Sequence, residues 1–332
     1  MTLPDTMRAW RVARLAEPAD ALSLDVIPTP APGPGEVLLR VGAVAANFPD
    51  VLLARGLYQV KPPLPFVPGV ECSGTVVALG EGVTELAVGD RVAAATIGVL
   101  SEYAVVPARA AHRIPDSLSD VAAAGLTVAY QTAWFALHRR AGLRAGEWLL
   151  VHAAAGGVGA AAVQLGAAAG ARVIGAVGSE AKAEVARAAG AEHIVIRGVD
   201  DIAASVKQIT DGHGADVVFD PVGGPAFTAS TKCIAFEGRI VVIGFASGEI
   251  PSLPVNHALV KNFGVLGLYW GLYQDDHPAL VAEAHAELIR LFEEGKIDPV
   301  VDHVVPFDRA PEALTALASG ATVGRVVVEV GV

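Results

Sequence analysis

The sequence predicts an α/β protein in which a doubly wound parallel sheet is inserted between two parts of a mostly β domain. Three observations predict it. Short apolar runs split by Pro and Gly clusters such as PTPAPGPGE fill the first third of the chain, the pattern of an all-β unit. From Leu126 to Leu268 apolar strands alternate with helical stretches, the rhythm of a parallel sheet covered on both faces. The chain then ends in DHVVPFD, a helix and GRVVVEV, pieces that match the first part more than the second. The implied domains are 1–126 with 269–332, and 127–268 between them.

In order, MRAWRVA, VLLRVGAVAAN, CSGTVVALG, DRVAAAT and SEYAVVPA read as the strands of the first part, and the stretch from Ala9 to Thr127 as all-β. TVAYQTAWFALHRRA opens the middle domain as a helix. EWLLVHA, RVIGAV, EHIVI, ADVVFD and GRIVVIG are its strands, with SEAKAEVARAAG and VDDIAASVKQIT as helices between them. An amphipathic helix from Pro278 to Glu294 and another from Ala310 to Ala318 follow.

The stretch from Trp148 to Ala171 contains no Asp, Glu, Lys or Arg, and with a mean hydropathy of +0.49 a membrane span has to be considered. Its composition argues against one: Ala and Gly dominate, His152 and Gln164 interrupt it, and the period changes partway. WLLVHA is a strand, GGVG a turn and AAAVQLGAAAG a small-residue helix, so the run reads as a buried βαβ unit. The 332 residues are 53% hydrophobic and 18% charged, which excludes disorder. A net charge of -11 opposes binding to nucleic acid or to an anionic membrane. Cys72 and Cys233 are far apart, so neither a disulfide framework nor a cysteine-rich zinc site is available. The N-terminal stretch has no secretory pattern, and a cytoplasmic protein is expected.

AAGGVG, Ala154 to Gly159, follows a strand, opens a helix, and fits the dinucleotide-binding turn with Ala in the first glycine place. Gly156 lets the backbone approach a pyrophosphate, Gly159 lets the helix pack on its strand, and Ala155, Gly157 and Val158 complete the turn. The second strand ends AVGS. No acid stands there to bind the 2'-hydroxyl of NAD, whereas Gly178, Ser179, Lys182 and Arg197 offer space, a hydroxyl and two cations to a 2'-phosphate, so NADPH is favoured. Alternatively, Ser179 merely caps the next helix and the two cations are solvated.

NFPDVLLARGLY, PPLPFVPGVECSGTVVALG, VGDRVAA, SEYAVVPA, VHAAAGGVGAAAVQLGAAAGARVIG and ADVVFDPVGG together resemble the medium-chain dehydrogenase/reductase superfamily. Within it they resemble the zinc-independent quinone oxidoreductase, zeta-crystallin-like branch. The resemblance implies a GroES-like substrate domain, a Rossmann domain and NADPH as hydride donor between them. Zinc-dependent members place metal ligands where this chain has Asn47 and, in the GHE place, Gly69, Val70 and Glu71. Valine cannot coordinate a metal, and no four-cysteine lobe exists between Val92 and Pro107, so no metal is expected.

Without a Lewis acid the acceptor must already be electron-poor: a quinone or, alternatively, an activated alkene such as an enone, a 2-alkenal or an enoyl thioester. A third reading is a cofactor-binding protein without turnover. The resemblance places Asn47, Asp50 and Tyr58 along the substrate cleft, with Asn47 donating to a carbonyl oxygen and Tyr58 donating as charge develops. Asn47 and Asp50 read equally well as a turn and the cap of a following helix, and Tyr58 as a surface aromatic. Family members often carry Tyr where this chain has Leu52, which makes that side less polar. Thr127 stands beside the nicotinamide by resemblance, or caps its own helix. The resemblance also implies Gly223 near the ribose, with Gly244, Phe245, Leu268 and Tyr269 at the cofactor, and all five fall at strand ends where such a sheet binds its ligand. His138, His152 and His193 have no metal spacing. The segment NFGVLGL reads as an edge strand, and the resemblance implies that it pairs with its copy in a homodimer.

Overall fold

A computed structural model describes residues 3–331. The chain divides into two compact units, one made of the chain up to Val128 together with Pro299 onward, the other of Ala129–Asp298.

The first unit holds β1 (Thr6–Val12), β2 (Leu22–Pro28), β3 (Glu36–Ala45), β4 (Cys72–Leu79), β5 (Arg91–Ala94), β6 (Tyr103–Pro107) and β7 (Ala111–Arg113). β1 and β2 form an antiparallel ribbon. The remaining five join two strands from the end of the chain, β14 (Val301–Pro306) and β15 (Arg325–Glu329), in a seven-stranded sheet of order β14-β15-β3-β4-β5-β7, with β6 paired to β3. The late strands close this sheet on β3, which is why the first domain needs both ends of the chain. Val37, Leu39, Val41, Val76, Val92, Leu100, Phe307 and Val328 are among the core residues. Three short α-helices interrupt the part expected to be all-β, Pro18–Ala21, Phe48–Ala54 and Asp120–Ala124. The last is announced by Ser119, whose hydroxyl accepts from Ala122 N–H.

The second unit is built on a six-stranded parallel sheet of β8 (Trp148–His152), β9 (Arg172–Val177), β10 (His193–Ile196), β11 (Ala215–Asp220), β12 (Ile234–Val242) and β13 (Gly264–Gly267). Its order is β10-β9-β8-β11-β12-β13, the doubly wound order with its switch point beside β8. Every residue of β8 is buried, as expected of a central strand covered on both faces. The small residues of the next helix, Gly157–Ala168, let it sit close to the sheet. A methyl at Gly166 would lie 2.4 Å from Leu149 Cδ2. The uncharged run is therefore a buried strand, turn and helix, and among the described residues no helix is long and apolar enough to cross a membrane.

Two details differ from expectation. The helix predicted from Thr127 to Ala141 is α-helical to Trp134 and then widens into a π-helical stretch, Phe135–Ala141. Residues 269–298, expected with the substrate part, group with the parallel sheet. Trp270 Nε1 donates to Gln131 Oε1 at 3.2 Å. Gln164 exchanges two bonds with the Asp298 backbone, donating to its carbonyl at 2.8 Å and accepting from its N–H at 2.9 Å. Both ends of the segment are thus tied to helices of the second unit.

Candidate active site

On the parallel sheet, the residues proposed for a dinucleotide come together at the carboxyl ends of the strands. After β8 the chain turns through Ala153, at φ 51°, and Gly156 caps the helix. The first N–H groups of that helix, from Gly157, Val158 and Gly159, have no carbonyl a turn earlier to bind and are directed out of its end. A methyl on Gly159 would lie 2.0 Å from Ala153 O, so only glycine fits. At Gly156 the nearest atom would be Ala153 O at 3.3 Å, which leaves the approach over the turn nearly open. Gly159 is thus required by packing, whereas Gly156 is not.

At the end of β9, Gly178 is exposed and Arg197 leans over it, its Nη2 3.6 Å from where a Cβ would stand. Arg197 Nε is buried and finds no acceptor among the described residues. Ser179 does cap the next helix, accepting from Lys182 N–H, but the contact is long at 3.4 Å and the residue remains exposed. Gly223 and Phe245 meet: a methyl on Gly223 would be 3.0 Å from Phe245 Cδ1. Gly244 sits beside Pro221 O. Leu268 is buried and donates its N–H to Val242 O, and it lines a cleft of about 300 Å³ together with Tyr269, Arg140, Leu272 and His277.

Sequence reasoning missed the buried polar groups beneath these loops. Asp220, the last residue of β11, accepts from Val222 N–H at 2.9 Å and Gly223 N–H at 3.0 Å and so shapes the turn that presents Gly223. His152, at the end of β8, pairs through Nε2 with Ser230 Oγ at 2.7 Å. Because the Ser230 hydroxyl donates to Ala226 O, His152 Nε2 is the donor of that pair and Nδ1 carries the lone pair. Burial pushes the imidazole down to about 4, Arg197 pushes it the same way and Asp220 opposes them, so the ring is neutral at physiological pH. The signal lay in each being a titratable residue that closes an apolar run, WLLVH for His152 and VVFD for Asp220.

In the first unit, helix Phe48–Ala54 is fixed by a buried network. Asp50 accepts from Asn47 N–H at 2.9 Å and from Gly69 N–H at 3.1 Å. The Asn47 amide donates to Ala45 O and to Glu71 Oε1, both at 3.0 Å, and accepts from Arg325 Nη1 at 2.9 Å. Glu71 also pairs with Arg325 and accepts from Val128 N–H at 2.5 Å, anchoring the start of helix Thr127–Trp134. This corrects the reading of Asn47 as a donor to a substrate carbonyl and of Asp50 as a cleft residue. Both amide hydrogens of Asn47 are engaged within the protein, and both oxygens of Asp50 are taken by backbone N–H groups. Burial raises Asp50 to about 7, against the backbone bonds and the Arg325 charge, and burial lowers Arg325 to about 10.

Tyr58 is half-buried against Val12, Leu53, Ala54 and Phe66, which corrects the alternative of a surface aromatic. Thr127 is 1% exposed and its hydroxyl has no partner among the described residues, so it does not act as a cap. A zinc ion fits poorly here, because Asn47 is committed, Val70 has no donor atom, and no group of three or more His, Cys, Asp or Glu among the described residues is arranged for a metal.

Two family models match, an alcohol dehydrogenase GroES-like domain over residues 33–116 and a zinc-binding dehydrogenase over 157–286. The chain is 41% identical over 300 residues to quinone oxidoreductase-like protein 2 homolog of Nematostella vectensis, covering 89% of this chain and 82% of that one. A quinone oxidoreductase of Pseudomonas syringae has a TM-score of 0.90 at 32% identity, covering 98% of this chain and 100% of its own. Mycobacterial Rv1454c, solved in complex with NADPH, has a TM-score of 0.91 at 31% identity over the same shares. An NAD-dependent alcohol dehydrogenase has a TM-score of 0.89 at 33% identity, again over those shares. With its two domain types, its doubly wound sheet and these relatives, the chain belongs to the medium-chain dehydrogenase/reductase superfamily of oxidoreductases, in its zinc-independent quinone oxidoreductase branch.

Proposed function

We propose that the chain reduces a quinone with NADPH and without zinc. The observation that carries the cofactor reading is the end of β9. There an exposed glycine lies under the Arg197 guanidinium, with Ser179 and Lys182 in the same turn and no carboxylate at the strand's last residue. A 2'-phosphate would find charge-assisted bonds there, and the buried, unpaired Arg197 Nε would gain an acceptor. The pyrophosphate would lie over Gly156 against the free N–H groups of Gly157 and Val158, and Gly223, Gly244 and Phe245 would border the ribose and nicotinamide end. The Thr127 hydroxyl is held ready as a partner by Glu71, which fixes its helix through Val128.

When bound, the nicotinamide supplies the hydride. The overall reaction adds that hydride and one solvent-derived proton to the quinone, giving the hydroquinone and NADP⁺. The protein's part is to orient and to protonate. Asn47, Glu71 and Arg325 lock helix Phe48–Ala54, and Tyr58 is the residue we assign to donate a proton to the acceptor oxygen. In the sheet unit, β13 is an edge strand with Val265 exposed, and helix Val255–Lys261 buries none of its residues, which supports a homodimer formed through this edge.

The test is NADPH oxidation against 1,4-benzoquinone, 9,10-phenanthrenequinone, an enone and crotonyl-CoA. Quinone turnover is expected. Turnover of the alkenes alone would make the chain an activated-alkene reductase, and tight NADPH binding with no turnover would make it a non-catalytic binder.

A further inference from the structure

One face of the parallel sheet, covered by helix Gly224–Cys233, ends in a row of polar side chains on otherwise apolar strands. Side chains alternate along a strand, so His152 stands on the same face as Leu150, Asp220 as Val218 and Arg197 as Val195, and those three apolar residues share one core with Ala176 and Phe227. His152 is level with Ala176, Asp220 comes directly after the Phe219–Val151 pair, and the Arg197 N–H continues the ladder to Val177 O at 2.8 Å. The row therefore runs from Arg197, across Ala176 and Gly178, which carry at most a methyl, to His152 and Asp220.

This row has bonding capacity that no protein atom meets. His152 and Asp220 are 0% exposed, yet His152 Nδ1 and Asp220 Oδ2 have no donor among the described residues. The other carboxylate oxygen of Asp220 is taken by Val222 and Gly223 N–H, and His152 Nε2 by Ser230. Arg197 Nε, also buried, has no acceptor. Leaving such atoms unpaired in the interior costs more than a hydrogen bond stabilises, and where protein atoms stand too far apart a water bridges them. One water matches this set, donating to Nδ1 and Oδ2 and accepting from the guanidinium. Besides burial, which lowers it most, the protonation of His152 answers to two charges, Asp220 favouring it and Arg197 opposing it, so the three groups lie within electrostatic reach of one another.

We infer that a buried water molecule joins Arg197 to His152 and Asp220, and that His152 is a positioning residue for cofactor choice, holding the guanidinium over Gly178 where it separates NADPH from NADH. The inference rests on the reading of Arg197 as the partner of the 2'-phosphate. A guanidinium has five N–H donors in a fixed fork, enough to serve a phosphate at Gly178 and a water on the sheet side together. A side chain held in place beforehand loses less freedom on binding, so the hold raises affinity for the phosphorylated cofactor alone.

Two substitutions separate this role from a merely structural one. H152Q sets an amide N–H where Nε2 stands and keeps the bond to Ser230, but offers no acceptor in the place of Nδ1. H152N does the reverse: its carbonyl oxygen falls in the place of Nδ1, and its amide does not reach Ser230. Calorimetric titration with NADPH and NADH, together with melting temperatures, reads both effects in these variants, in R197A and in H152Q/R197A. H152Q should raise the Kd for NADPH at least about fivefold, leave that for NADH within about twofold and keep the wild-type Tm. H152N should keep the NADPH affinity and lower Tm. In the R197A background H152Q should change neither Kd by more than about twofold.

Wild-type NADPH affinity in H152Q, with that affinity lost in R197A, would overturn the inference and leave the 2'-phosphate site standing. Wild-type NADPH affinity in R197A would remove that site and this inference with it. Equal losses for the two cofactors in H152Q, or an H152Q effect that persists without Arg197, would make His152 a support of the sheet only and overturn the inference. If H152Q does not fold, H152N carries the test, and NADPH affinity lost there would overturn it. A high-resolution crystal structure of the free protein should show water within hydrogen-bond distance of Nδ1 and Oδ2, and no density there would overturn the bridge.

Discussion

The two glycines of the turn after β8 separate folding from cofactor binding, and alanine at each tests the assignment. A Cβ on Gly159 would meet Ala153 O at 2.0 Å, Ala153 C at 2.7 Å and Ala154 Cα at 3.1 Å, all backbone atoms that move only if the turn opens. Overpacking of that kind costs about 1 to 3 kcal/mol, which for a unit of this size lowers Tm by roughly 3 to 10 °C. A Cβ on Gly156 meets one atom at 3.3 Å, and its φ of -85° suits alanine, so Tm should change by no more than about 2 °C. That methyl would nonetheless occupy the approach assigned to the pyrophosphate and raise the Kd for NADPH at least about tenfold, or about 1.4 kcal/mol. Differential scanning fluorimetry and calorimetric titration of G156A and G159A read the two effects. Wild-type affinity in G156A would refute the placement of the pyrophosphate, and equal loss of stability in both would refute the steric argument.

Other perturbations follow from the same geometry. E71Q leaves the buried Arg325 without its counter-charge and should cost about 3 to 5 kcal/mol, read as a Tm lowered by roughly ten degrees. Asp50 has a folded pKa of about 7 against an ordinary 3.8, so its stabilising contribution is complete below the ordinary value and is lost as pH rises through about 7. Between about pH 5 and 8 the wild-type Tm should therefore fall more steeply than that of D50N, which is less stable overall because one amide oxygen must serve two N–H donors. R197A should raise KM for NADPH about tenfold and leave KM for NADH nearly unchanged, as steady-state kinetics with both cofactors would show. V265K, which places a charge on the exposed edge of β13, should turn the homodimer proposed through that edge into a monomer, as sedimentation velocity would show.

The sequence was most readable where the signal is local. The apolar run of β8, the glycine turn and the small-residue helix lie within a few dozen consecutive residues, and their period and spacing identify them. The strand ends carrying Gly178, Gly223 and Gly244 could be placed for the same reason. What escaped depends on contacts distant in sequence. Arg325 stands 278 residues from Asn47, and nothing in GRVVVEV states which carboxylate it meets. A lone arginine in an apolar strand does signal that a partner is required, as does Glu71 in VECSG. The same distance effect misassigned Asn47. As a motif residue it looks like a ligand contact, and only the arrival of Glu71 and Arg325 on its side chain makes it a strut. The boundary at Leu268 failed because the strand rhythm stops there, whereas the bonds from Trp270 and Asp298 keep the next thirty residues or so on the sheet.

The most direct test of the central claim is a single turnover of the purified protein in excess chelator, with NADPH carrying deuterium in the transferred position and 9,10-phenanthrenequinone as acceptor. Direct hydride transfer without zinc predicts one hydroquinone formed per NADPH consumed, a rate slowed by the deuterium, and no effect of the chelator. No consumption of quinone, or turnover that appears only when zinc is restored, would contradict it.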